Sequence, residues 1–205
     1  MRLLVALLTA GLLLAAATAA ADWEKITEID GVVIERRGVP GARVPEMRAT
    51  AHSPLQPAAI FETLWKHQEY LEFVPYLKRL KLLSDTGDER VAYEQLALPL
   101  VRDRDYTVRF RRRIDATNHR YEISIEGAND AGPPPDGSHV RVTSIRGGWT
   151  VEPDPAGKGS LVRYEMQSDP GGRIPAWVAD RTMRYATADL MRAMLKRALD
   201  KNGGR

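Results

Sequence analysis

The chain has 205 residues, 43% of them hydrophobic and 28% charged, and it contains no cysteine. That excludes disulfides, cysteine-ligated zinc, iron–sulfur clusters, thiol nucleophiles and a lipidated N-terminal cysteine. The formal net charge of +3 is a small excess of 30 Lys and Arg over 27 Asp and Glu, far from the polycation expected of an obligate nucleic-acid binder.

The first 21 residues follow the pattern of a secretory leader. Arg2 supplies a positive start, residues 3–14 an apolar run broken only by Thr9 and Gly11, and residues 15–21 a tract of small residues with Ala19 and Ala21 at the expected cleavage site. A membrane anchor fits less well, because the run is rich in alanine and carries no flanking charge before Asp22. Cleavage leaves a single domain over residues 22–205 in a periplasmic or secreted location, which a cysteine-free chain tolerates.

After a short lead over 22–30, residues 31–37 and 44–51 read as two strands loosely joined by a Gly- and Pro-containing loop. Ser53-Pro54 is expected to open a helix, in which Ile60, Phe61, Leu64 and Trp65 share one face. A second short helix over 69–76 is expected to stop at Pro75. From Leu77 the period changes towards two: strands are predicted over 77–84, 91–96, 106–114, 121–126, 140–151 and 160–167, in an antiparallel meander. Residues 127–138, with three consecutive prolines, form a loop. A long helix then starts at Ile174-Pro175, with Met183, Thr187, Leu190, Met191, Met194, Leu195 and Ala198 as its apolar stripe opposite Arg184, Asp189, Arg192 and Lys196. Strands followed by one amphipathic helix predict an α+β fold in which the helix buries its stripe against the concave face of the sheet.

Catalytic and metal-binding motifs are not found. His52, His67, His119 and His139 are scattered without ligand spacing, and there is no nucleophile elbow of the form G-x-S-x-G. Residues 156–160, AGKGS, lack the preceding glycine of a phosphate loop, since Pro153 stands there, and a strand rather than a helix follows. The arginine-rich run over 102–113 is an amphipathic strand: alternation puts Tyr106, Val108 and Phe110 on one face and Thr107, Arg109, Arg111 and Arg113 on the other. No nucleic-acid partner is expected. The apolar loop over 97–101 either folds over the core or forms a membrane-touching lid at the rim of a ligand cavity.

Three stretches carry a family resemblance: 98–106 (LPLVRDRDY), Gly147-Gly148-Trp149 with Pro153, and Tyr164 with 168–177 (SDPGGRIPAW) before the last helix. Together they resemble a START domain, the lipid-transfer fold related to the steroidogenic acute regulatory protein, within the Bet v 1-like helix-grip superfamily. The resemblance implies a curved antiparallel sheet wrapped around the C-terminal helix, with an internal hydrophobic tunnel for one lipid of the sterol, hopanoid or phospholipid class. It implies a carrier, not an enzyme, with no cofactor, acting as a monomer that touches membranes transiently. Polyketide cyclases share the superfamily, so a cyclase- or hydrolase-like enzyme using Glu94, Asp105 or Tyr93 is the alternative. Sterol-binding members pair an acid with an arginine inside the tunnel, and Glu94 and Arg109 resemble that pair in position. Leu98, Leu100, Trp177, Leu190, Met191 and Met194 complete the expected ligand-binding set; methionines suit a wall that adapts to irregular ligands.

Overall fold

The computed structural model describes residues 22–99 and 101–203. The leader expected over residues 1–21 lies outside the described residues, as does Leu100.

The N-terminal lead is itself a strand, β1 (Glu24–Ile29), paired antiparallel with β2 (Val32–Arg37). Asp30 and Gly31, the two residues between them, both adopt positive φ, 49° and 79°. That backbone follows the right-handed twist of a hairpin, and Asp-Gly is the dipeptide that accepts it most readily. β3 (Glu46–Ser53) runs back along β2.

β3 pairs with β10 as far as Ser53 opposite Ser160, so Ser53 is the end of a strand rather than the start of a helix. Its hydroxyl accepts a hydrogen bond from the Leu55 N–H at 3.3 Å and turns the chain. Helix α1 (Pro57–Trp65) begins three residues later than Pro54, at Pro57, whose missing N–H costs nothing in a first turn. A single 3-10 turn (His67–Glu69) and the short helix α2 (Tyr70–Phe73) lead into the meander.

The meander consists of β4 (Leu77–Asp85), β5 (Glu89–Leu96), β6 (Arg104–Asp115), β7 (Arg120–Gly127), a two-residue strand β8 (Val140–Arg141), β9 (Ser144–Pro153) and β10 (Ser160–Asp169). Together with β1–β3 these strands form one sheet in the order β1-β2-β3-β10-β9-β7-β6-β5-β4, with β8 paired parallel to β6. The expected 140–151 strand is thus two strands, because β8 leaves to pair with β6 before β9 joins β7 and β10.

Gly147 and Gly148 sit where β9 is held between two neighbours. A Cβ at Gly147 would lie 2.1 Å from the Glu165 carbonyl oxygen, and one at Gly148 would lie 2.2 Å from that of Ile123. No side chain fits at that spacing, and the glycines let the strands close on each other.

The last helix, α3 (Ala176–Asn202), lies against the concave face of this antiparallel sheet. Thr187, Ala188, Met191, Met194 and Ala198 are buried, with Met183, Leu190 and Leu195 packed at the margins. The predicted stripe is the buried one. β3, which carries the small buried residues Ala49 and Ala51, and β2 both contact α3, so the helix approaches this half of the sheet closely. The architecture is α+β, a helix gripped by a curved antiparallel sheet.

Candidate functional site

Where α3 faces the other half of the sheet, larger side chains hold helix and strands apart and leave a cavity of about 170 Å3. A single buried water needs roughly 10–15 Å3 on the same footing, so this space is many times larger than a packing defect. Val108, Phe110, Trp149 and Met166 line it from the strands. Met183, Leu190 and Met194 line it from α3, and Leu98 borders it from the loop between β5 and β6.

A few polar groups interrupt this wall. Glu94 on β5 is 7% exposed and faces the cavity, directly opposite Tyr106 on β6. The Tyr106 hydroxyl donates to Glu94 Oε2 at 2.8 Å. Burial pushes the Glu94 carboxyl up to about 7, against the smaller opposing effect of that hydrogen bond. Tyr106, Tyr164 and Tyr70 all border the cavity, and burial raises each phenol above its ordinary value. The site therefore presents a carboxyl that is half protonated near neutral pH, among neutral phenols.

The remaining expected ligand residues fall in different places. Arg109 does not reach Glu94: it lies one residue beyond Val108 on β6, so the period of two turns it to the outer face, where it pairs with Glu89 at 3.2 Å. The expected pair is replaced by Glu94 with Tyr106. Trp177 is 67% exposed, on the same side of α3 as Arg181 and Tyr185 at i, i+4 and i+8, and it does not enter the cavity. Met191 has no exposed surface and packs in the core beside the cavity, whereas Leu190 and Met194 line the space. Leu100 is outside the described residues.

Arg104, Tyr106, Tyr164 and Trp149 also line the cavity and were not singled out for it by sequence. The alternation that placed Tyr106 with Val108 and Phe110 reaches Arg104 when extended by two residues. Among the described residues no group of three His, Cys, Asp or Glu is placed to hold a metal ion, and no helix is long and apolar enough to cross a membrane.

A gripped helix, an apolar cavity and the motifs at its rim point the same way as the family comparison, in which the profile described as START domain matches residues 5–203. The chain belongs to the START domain family. Mouse phosphatidylcholine transfer protein is 24% identical over 180 residues, covering 86% of this chain and 83% of that protein. The STAR-related lipid transfer protein of Xanthomonas axonopodis superposes with a TM-score of 0.77 at 24% identity, over 86% of this chain and 98% of that one. The Zhui aromatase/cyclase of Streptomyces superposes with a TM-score of 0.55 at 14% identity, over 77% and 94%. The two superpositions, below 25% identity, carry the fold of this START domain and nothing about its ligand.

Proposed function

We propose that this START domain binds one hydrophobic lipid in the cavity between α3 and the sheet and shields it from water, with transfer as the use of that shielding. The observation that carries this reading is the apolar-walled cavity itself, because a solvent-filled gap walled by Phe110, Trp149, Met166 and Leu190 costs free energy until apolar atoms fill it. Affinity comes mainly from buried area, at about 25 cal/mol per Å2, while Glu94, Tyr106 and Tyr164 orient the polar end. Sterol, hopanoid and phospholipid remain the candidate classes. The names of the mouse and Xanthomonas proteins agree with lipid carriage. The periplasmic location rests on the leader-like residues 1–21 alone, and the monomeric state and transient membrane contact are part of the same proposal.

One observation favours a second reading. A buried carboxyl held near pH 7 inside a cavity has the property that general acid–base catalysis requires, as a cyclase-like enzyme would use it. Native mass spectrometry of the protein recovered from the cells that produce it, followed by organic extraction, separates the two. A stoichiometric co-purified lipid supports the carrier. An empty cavity, with turnover of a small ester or polyketide that Glu94→Gln abolishes, supports the enzyme.

A further inference from the structure

Arg104, the first residue of β6, is 2% exposed and is among the largest fully buried side chains in the protein. A guanidinium stays charged at any physiological pH, so its burial costs several kcal/mol unless an opposite charge answers it. No described carboxylate forms an ion pair with it. Burial, reinforced by the like charge of its neighbour Arg102, lowers its pKa, and the attraction of Asp103 is the smaller, opposing effect. Asp105, the next residue, is already engaged by Arg141 through two hydrogen bonds of 2.9 and 2.8 Å.

Two backbone carbonyls take part of the guanidinium's capacity. Nε donates to Pro170 at 3.2 Å and Nη1 to Arg102, which ties β6 to the turn before α3. Five N–H donors in a planar fork leave three beyond these two bonds. Arg104 lines the cavity together with Ser168 and Thr187. A Cβ at Gly172 would lie 3.9 Å from Arg104 Nη2, and glycine at that position keeps the ground beside the fork clear. Along the wall, Arg104 is two residues from Tyr106, which in turn faces Glu94. The polar row Arg104, Tyr106, Glu94 thus ends in a fixed, unanswered positive charge.

We infer that Arg104 is the head-group site of the cavity and that the lipid carried is an acidic amphiphile, whose carboxylate or phosphate oxygens complete the guanidinium's hydrogen bonds. The inference rests on the lipid-binding reading above and narrows it to lipids with an anionic head. Anionic oxygens suit the planar fork better than a hydroxyl does, because two parallel charge-assisted bonds form at once. A sterol hydroxyl would leave the charge uncompensated.

The test uses three probes with one C18 chain and different heads: oleate, 1-oleoyl-lysophosphatidate and oleyl alcohol, each titrated into delipidated protein and followed by intrinsic tryptophan fluorescence, to which Trp149 in the cavity wall contributes. The two acids are expected to bind at least about tenfold more tightly than the alcohol, the scale of a charge-assisted pair in a buried site. Arg104→Met is expected to erase that preference by weakening both acids, and Arg104→Lys to retain part of it. Arg173→Ala, which removes an exposed arginine of the same turn, is expected to leave it unchanged. Equal affinity of wild-type protein for acid and alcohol overturns the inference even where Arg104→Met fails to fold, and so does a preference lost in Arg173→Ala. Binding of the alcohol alone sinks the inference but leaves lipid binding intact; binding of none of the three sinks both.

Discussion

The hydroxyl of Tyr106 donates a 2.8 Å hydrogen bond to the carboxylate of Glu94 across the β5–β6 pair, with Glu94 buried and Tyr106 half-buried in the cavity wall. One such bond does not repay the burial of a charge, which is why the carboxyl is pushed up from 4.5 to about 7.

Between those two values the folded protein binds more protons at Glu94 than the unfolded chain does, so stability falls as pH rises from 4.5 to about 7. At about 1.4 kcal/mol per unit, the full penalty above that window is on the order of 3 kcal/mol. Glu94→Gln keeps an acceptor for Tyr106 and removes the charge. Denaturant melts at pH 8 should show the variant more stable than wild type by up to about that amount, and no more stable at pH 4. Equal gain at both pH values would show that the carboxyl is not titrating in the cavity.

Buried His67 works in the opposite direction. Desolvation, reinforced by Arg90, lowers it from 6.5 to about 4, so its contribution is complete above 6.5 and is lost as pH falls through that window. The two windows overlap and their slopes oppose. Wild-type stability is expected to change little between about pH 4.5 and 6.5, whereas Glu94→Gln should expose a rise in stability with pH over the same range. A flat profile in the variant would remove His67 as the balancing group.

Arg109→Ala deletes an outer-face ion pair whose two side chains are 31% and 35% exposed. Such pairs contribute under about 1 kcal/mol, so the melting temperature should move little and co-purified lipid should be retained in full. Loss of lipid from this variant would return Arg109 to the ligand site.

Gly147→Ala places a methyl group 2.1 Å from the Glu165 carbonyl, between strands that have nowhere to move. Insoluble protein, or destabilisation beyond about 3 kcal/mol, is expected. Gly38→Ala, with nothing within 4 Å of its Cβ, should be close to neutral in the same thermal melt.

Adjacent residues on α3 separate core from cavity. Met191→Ala should cost about 2–5 kcal/mol, because Met191 has no exposed surface and its loss leaves a hole. Leu190→Trp extends into existing space, so it should displace bound lipid in native mass spectra while the melting temperature shifts by no more than about 4 °C. Lipid retained by the Leu190→Trp variant would mean that the ligand lies elsewhere.

The stripe from Met183 to Ala198 was legible because a helix that meets one surface must repeat its apolar residues every 3.6 positions. The meander was legible because strands half buried on a sheet alternate. Strand β1 was missed although its signal was present, in the Asp30-Gly31 hairpin dipeptide. Ser53 was misplaced because its hydroxyl serves a turn after a strand as readily as a helix start, and only the ladder to Ser160 decides between them.

Local pattern thus determined the class of fold, the composition of the gripped helix and the family to which the chain belongs, since each is written in neighbouring residues. Which wall residues converge was decided only by tertiary structure. Alternation divides β6 into two faces without saying which looks inward, and α3, covering one side of the sheet, turned Arg104 and Tyr106 to the cavity and left Arg109 half-buried on the opposite face, against Glu89. The same closure put Glu94 beyond the reach of Arg109 and beside Tyr106, because strand pairing joins residues that the sequence holds far apart.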